Sequence, residues 1–490
     1  MAKILVIGGG VAGLSAGIYA QKRGHQAIVC ERHFLAGGNL TGWRRGEYHI
    51  DNCIHWLTGT NPNTATYRMW EDLGALGDID IYQSNSLFTC DCNGKRLSLY
   101  RDLDKTESEM LSASPEDAKE IKSFFKAVRA VQAMEGIAGK NHNRRASIVE
   151  CAASLPILLK YYKLTTGELA KKFKNPLVKR FFTSMLTEHF GSVALIFVIA
   201  HYCGDNAGIP AGSSLAMAKR MAAKFKELGG ELLLKKEAVK VNYEGDTAKS
   251  ATFSDGETID ADYVVMAIDP AVAFGKLLDI EMPKALKKHY ENKREMRFSS
   301  YHCAFACDLP KIPFEGDIIF ELSDRHKFRL GSENLIIREY SHEKGFAPEG
   351  KNILQTMTFC DERGANRFIE LYKNGRELYE KRKKRLAAQL KAAIIEKLPE
   401  LDGHIECIDM WTPATYKRFV DSDIGSYMSF AFSAKVLPIV LGNKIKELKN
   451  VVLATQWLQD PGGLPIAAES GKRAIDTICK MAKKKKAAAY

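Results

Sequence analysis

Residues 4–7, Ile-Leu-Val-Ile, run straight into Gly8-Gly9-Gly10-Val11-Ala12-Gly13, and residues 14–23 continue in helical style. The order predicts a strand, a glycine turn and a helix, with G-x-G-x-x-G at Gly8, Gly10 and Gly13. Gly8 permits the tight turn, Gly10 lets a pyrophosphate approach the backbone, and Gly13 lets the helix lie close to the strand. The helix start at Val11 and Ala12 offers unpaired N–H groups and a positive dipole end to phosphates. Gly24 ends the helix, residues 26–30 form a second strand, and Glu31 stands at its tip. A carboxylate there, about 20 residues after the glycines, is placed to accept hydrogen bonds from a ribose diol. Its charge disfavours a 2′-phosphate, an effect that Arg32 next door softens.

A second glycine pair, Gly37-Gly38, follows closely, then Asn39. It predicts another close approach of backbone to the same ligand. Residues 49–57 mix apolar and polar side chains unlike a plain strand or helix. Near the other end of the chain, residues 450–454 read as a buried strand. Trp457, then Asp460-Pro461-Gly462-Gly463-Leu464-Pro465, then a small-residue helix over 466–475 that includes Ala467, come next. This strand, glycine bend and helix make a second place where backbone N–H groups can face an anion.

With these blocks in view the sequence resembles the phytoene desaturase, carotenoid isomerase and retinol saturase group of FAD-dependent oxidoreductases, within the amine-oxidase-like flavoproteins. The resemblance is carried by residues 8–17, 31–38, 48–56 and 451–471, with a fifth block over 210–267. It implies an α/β fold: a Rossmann-type, glutathione-reductase-like FAD domain interleaved with an α+β substrate domain that carries a helical cap. The implied FAD contacts are Gly8, Gly10, Val11, Ala12, Gly13, Glu31, Arg32, Gly38, Asn39, Val239, Trp457, Gly462, Gly463, Leu464 and Ala467. Val239 belongs to the fifth block, where the backbone of relatives receives the adenine end. This chain departs from the family in having Asn39 where Arg or Ser is usual, and Asp460-Pro461-Gly462-Gly463 where a proline and three glycines are usual. The spacing from Trp457 to Pro465 is kept.

The resemblance also implies hydride or electron exchange at flavin N5 with a hydrophobic unsaturated substrate such as a carotenoid, retinoid or lipid. Desaturation, saturation and cis-trans isomerisation all stay open. His55 is the candidate acid or base, since imidazole suits proton transfer near neutral pH; the other reading is a histidine hydrogen-bonded structurally beside the cofactor. Asp51 reads as a carboxylate holding its loop, and Trp457 as a ring packed against the flavin. A fatty-acid double-bond isomerase is an alternative, with Arg44, Arg45, Lys417 or Arg418 as partners of a carboxylate. A membrane-associated scaffold that keeps FAD without turnover is another. A second complete G-x-G-x-x-G is missing, which argues against a dedicated nicotinamide domain. No Ser-His-Asp or metal-ligand arrangement is expected.

The dispersed nucleotide blocks divide the chain into an FAD domain over 1–75, 200–275 and 445–490, and a substrate domain over 76–199 and 276–444, with the cap near 105–199. At 490 residues, 46% hydrophobic and 27% charged, the chain can bury a large core. Residues 87–90 and 95–100, split by Asn93-Gly94, predict a hairpin. Strands are expected at 301–307 and 352–359, and helix over most of 365–398. The lysines at 483–486 read as a frayed tail. The net charge of +12 is diluted over the chain, and no nucleic-acid partner is expected. Residues 155–182 hold seven Lys or Arg against one Glu, interleaved with Tyr161, Tyr162, Phe173, Phe181 and Phe182. Two readings stay open there: a solvated helix over a buried one, or an element docked into one leaflet of a membrane. The longest uncharged stretches, 4–21 with five glycines and 189–204 with 16 residues, are poor candidates to cross a bilayer. No secretory signal and no CxxC pair among eleven cysteines are seen, so a cytoplasmic protein with reduced thiols, peripheral at most to the inner membrane face, is expected.

Overall fold

The computed structural model describes all residues except 138–147, 293–296, 298, 433, 435–438 and 488–490. Its first sheet is parallel and five-stranded, in the order Glu231–Leu234, Gln26–Glu31, Lys3–Ile7, Tyr263–Met266, Val451–Leu453. Ile4 pairs with both Ala27 and Tyr263, and Met266 with Leu453. A parallel sheet covered on both faces needs strands that are apolar throughout, and the run at residues 4–7 meets that need. Ile4 and Val6 pack under the helices Val11–Lys22, Ser213–Glu227 and Leu464–Ala487. Leu5 and Ile7 face a three-stranded antiparallel layer, Ala238–Glu244, Thr247–Phe253 and Thr258–Asp260. The Ser15 hydroxyl donates to the Ala468 carbonyl at 2.6 Å, tying the first helix to the last. That last helix runs on through Ala487, so the lysines 483–486 lie in its closing turns and not in a frayed tail. Lysine and alanine are good helix formers, and Ile475 and Ile478 anchor the face beneath.

The second sheet has seven strands, in the order Ile405–Trp411, Ser299–Cys307, Asn352–Cys360, Asn334–Glu339, Asp317–Glu321, Ser86–Cys92, Lys95–Tyr100. The hairpin between its last two strands turns at Asn93 and Gly94, both at positive φ (54° and 79°), as a two-residue type I′ turn requires. The helices Glu362–Asn374 and Arg376–Lys397, separated by Gly375, lay Phe368, Leu386, Leu390 and Ile394 on one face of the sheet.

A helical block covers the other end. Residues 155–182 do not form one helix there. They fall into Ile148–Tyr162, Thr166–Ala170 and Pro176–Ser184, broken by a capping box at Thr165 and Glu168 and by the cap of Asn175 before Pro176. Tyr161, Phe173, Phe181 and Phe182 turn into the core with Phe124 and Phe125, so these aromatic rings are not on an outer surface. The exposed apolar side chains of the segment are Leu155 and Leu159. Among the described residues no helix is long and apolar enough to cross a membrane.

Candidate functional site

One cavity of about 1020 Å³ runs between the two sheets. At one end it is a polar trench over the first turn and at the other an apolar lobe. The Gly8 N–H donates to the Cys30 carbonyl and the Gly37 N–H to the Gly9 carbonyl, at 2.9 and 2.8 Å. The two glycine segments therefore lie side by side, bridged at Gly10 and Gly37. Gly8 has φ 105°, and a Cβ on Gly13 would sit 1.8 Å from the Gly8 carbonyl oxygen. Gly13 thus serves the packing of helix on turn and does not line the cavity. All the other residues singled out as cofactor contacts do, and so does His55.

The Glu31 carboxylate is buried at the strand tip, where one oxygen accepts the Gly9 N–H and the other the His33 N–H, both at 2.8 Å. Burial raises its pKa, and these backbone donors oppose the rise. Glu31 lines the trench, and a carboxylate has more acceptor sites than these donors occupy. Arg32 is held by Asp421 at 3.1 Å and Glu237 at 3.4 Å, so its charge is spent on neighbouring carboxylates. The indole of Trp457 lies in the wall beside Tyr290, ring centres 5.2 Å apart, and edge-on to Phe430.

Asp51 is fully sequestered. Its carboxylate accepts the Ser214 N–H and hydroxyl at 2.8 and 2.6 Å and the Cys53 N–H at 3.1 Å, fixing the loop that carries His55. His55 itself is half-buried in the cavity wall, and among the described residues nothing hydrogen-bonds its ring. Desolvation, then Arg338 and His302, hold its pKa well below the usual imidazole range, so it is neutral. Arg338 is clamped by both oxygens of Asp317, at 2.5 and 2.6 Å, and reaches the Ile54 carbonyl at 3.4 Å.

Sequence reading missed a polar network at the junction of trench and lobe. Trp411 Nε1–H donates to the Tyr416 hydroxyl, which lies 3.1 Å from both Asn52 Oδ1 and His302 Nε2. Asn52 Nδ2–H donates to the Asn39 carbonyl at 3.0 Å, and the His302 ring stacks on Trp411 at 4.8 Å. Asn52 and Tyr416 are 364 positions apart, and no local spacing joins them. Arg44, Arg45, Lys417 and Arg418, the carboxylate partners of the alternative fatty-acid reading, are not in the cavity lining. Arg45 pairs with Asp409 and Lys417 with Asp421, while Arg44 and Arg418 bond the Glu47 carbonyl and the Tyr372 hydroxyl.

The trench fits a flavin nucleotide. No side chain caps the first helix at Gly10, and a Cβ there would point into space with its nearest neighbours at 3.9 and 4.0 Å. Among the described residues Asn39 Oδ1 is buried without a partner. At Gly463 nothing among the described residues lies within 4 Å of a Cβ position, so the backbone there is open to a ligand. An anion at the first helix, a hydrogen-bond donor for Asn39 Oδ1 and a flat group over Gly463 would complete these gaps.

Fold and site together define a nucleotide-binding α/β protein whose second sheet closes an apolar lobe onto the trench. The chain belongs to the flavin containing amine oxidoreductases, whose family model matches residues 11–292, and it is a flavin-dependent oxidoreductase. It is similar to the chloroplastic prolycopene isomerase of Daucus carota, 24% identical over 452 residues that span 86% of this chain and 71% of that one. It is also similar to the lycopene-forming phytoene desaturase of a Paracoccus strain, 23% identical over 53% of each chain. Among solved structures the cyclohexylamine oxidase of Brevibacterium oxydans covers 98% of this chain at 13% identity with a TM-score of 0.60; that likeness is one of fold.

Proposed function

We propose that the protein is an FAD-dependent oxidoreductase acting on the carbon–carbon bonds of a hydrophobic polyene, of the carotenoid desaturase or isomerase type. The observation that carries the reading is the continuity of the trench with a lobe lined by Phe88, Phe190, Phe197, Ile319, Met357 and Phe359. Such a wall suits a long unsaturated chain, and it excludes water from the reacting bond. Prolycopene isomerase and phytoene desaturase among its relatives support the same substrate class.

When bound, the flavin supplies hydride or electron exchange, and the protein supplies position and electrostatics. Val11 and Ala12 would face the pyrophosphate, Glu31 the ribose diol, and Gly463 with Leu464 the ring end. Asn39 is steadied by Asn52 at the junction. His55, neutral and with no hydrogen-bond partner among the described residues, is the group that would hold or pass a proton beside the substrate. Exposed Leu155 and Leu159, with Lys160 and Lys163 nearby, support contact with one leaflet of a membrane, from which so insoluble a substrate would arrive. Flotation with anionic vesicles, lost in a Leu155→Asp, Leu159→Asp double variant, tests that contact.

The function is tested on the purified, FAD-loaded protein by adding polyenes without oxygen. Bleaching of the oxidised flavin marks desaturation, re-oxidation of pre-reduced flavin marks saturation, and product change without net bleaching marks isomerisation. A protein that binds FAD and leaves every polyene unchanged refutes the reading.

A further inference from the structure

The wall of the apolar lobe carries one polar side chain whose hydrogen-bonding state is fixed from behind. The helix Ser192–Cys203 turns Leu195, Ile196, Ile199 and Ala200 into the core, and presents Ala194, Phe197, Val198 and His201 to the cavity. At about 1.5 Å per residue, His201 stands roughly 12 Å along the lobe from Val193. Its Nδ1 lies 2.8 Å from Asn206 Nδ2. The Asn206 amide is oriented by its other end, where Oδ1 accepts the Asn61 N–H at 3.1 Å. An amide nitrogen only donates, so Nδ1 of His201 accepts, and the one proton of the neutral ring sits on Nε2. Burial keeps the ring neutral, with its pKa lowered to about 4. Among the described residues nothing pairs with that Nε2–H. The lobe therefore holds a pre-set N–H donor in apolar surroundings.

We propose that His201 is a specificity-determining residue that donates from Nε2 to a neutral oxygen, a hydroxyl or carbonyl, carried on an otherwise apolar unsaturated substrate. The proposal rests on the polyene reading of the cavity. Neutral oxygen is favoured over a carboxylate by the charges nearby. The cations that line the cavity, Arg32, Lys236 and Lys276, belong to the nucleotide end. The helix that carries His201 has no Lys or Arg of its own to pair with a carboxylate. A site built around a donor disfavours a ligand that leaves the donor unpaired, because the desolvated N–H then loses its hydrogen bond.

The test titrates the FAD-loaded protein with four polyenes of equal length: the hydrocarbon and its terminal hydroxy, keto and carboxylic acid forms. Binding is read from the perturbed flavin spectrum. The hydroxy and keto forms are expected to bind about 10- to 100-fold more tightly than the hydrocarbon. His201→Phe should erase that preference while hydrocarbon binding persists, and His201→Gln, which keeps an N–H donor, should retain part of it. Should His201→Phe fail to fold, the parent protein and His201→Gln decide. Equal binding of hydrocarbon and oxygenated forms, a preference that survives His201→Phe, or tightest binding by the acid overturns the proposal and leaves the polyene reading standing. A flavin spectrum unmoved by all four ligands refutes both.

Discussion

Two glycines three residues apart separate the requirements of the fold from those of the ligand. A methyl added to Gly10 would find its nearest atoms, Gly38 Cα and the Gly37 carbonyl oxygen, at 3.9 and 4.0 Å, which is ordinary contact. The residue has φ −71°, open to alanine, so the cost to the unliganded protein is that of alanine for glycine at a helix N-cap, below about 1 kcal/mol. The same methyl would stand in the trench where an anion must come up to the first amides. Losing the equivalent of one hydrogen bond to a charged group costs about 2–3 kcal/mol, or about 30- to 150-fold in flavin affinity. A methyl on Gly13 would instead lie 1.8 Å from the Gly8 carbonyl oxygen and would push helix and turn apart, at more than about 3 kcal/mol of stability. Thermal unfolding of the apoprotein and titration with FAD, followed by flavin fluorescence, measure the two effects separately. Gly10→Ala should melt with the parent and bind FAD weakly, and Gly13→Ala should melt early. Parental FAD affinity in Gly10→Ala, or parental stability in Gly13→Ala, would show that the trench is not the phosphate site or that the turn can relax.

Asp51→Ala should destabilise the protein by at least about 3 kcal/mol, since it strands three buried donors on Ser214 and Cys53; urea unfolding measures it, and an unchanged midpoint would refute the role. Acid should weaken the fold through His49 and His302, whose burial lowers their pKa values to about 4 and about 3. The unfolded histidines take up protons near pH 6.5, so the stability present above 6.5 is lost as pH falls towards 4, by about 2 kcal/mol for each at pH 5. Melting at pH 7.5 and 5.5 checks the sign, and His302→Gln should flatten the difference. His55→Phe should keep FAD affinity within about twofold and lower polyene turnover by about 100-fold or more, as loss of a proton-transfer group does; unchanged turnover would remove His55 from the chemistry.

How much was legible in the chain follows from how local each cause is. The opening strand, turn and helix depend on residues within thirty positions of one another, and the structure shows each where the spacing puts it. The Asn93-Gly94 hairpin is equally local. Residues 155–182 are legible only in part. Their alternating aromatic and basic residues suit a solvated helix over a buried one or a membrane-docked element. The inward rings agree with the first, although the segment is three helices and not one. The capping residues Thr165, Glu168 and Asn175, readable in the sequence, were the signal that the segment breaks and can turn its rings inward. His201 was hidden in another way: its role depends on which nitrogen is protonated, and Asn206 and Asn61 decide that only after folding.

The Asn52, Tyr416 and His302 network answers a conflict between the two halves of the cavity. The trench needs bare backbone donors and acceptors, whereas the lobe needs a wall without unpaired polar groups. Where they meet, the Asn39 segment must be held without placing a charge beside the apolar chain. Neutral side chains do this: Asn52 grips Asn39, Tyr416 orients Asn52, and Trp411 on the seven-stranded sheet orients Tyr416. Burial keeps His302 neutral and raises the Tyr416 pKa well above its ordinary value, so the network carries no charge at neutral pH. It joins the loop of Asn39, beside the nucleotide trench, to the seven-stranded sheet that bears the substrate wall. The seat of that loop on the sheet then depends on hydrogen bonds that neither could supply alone.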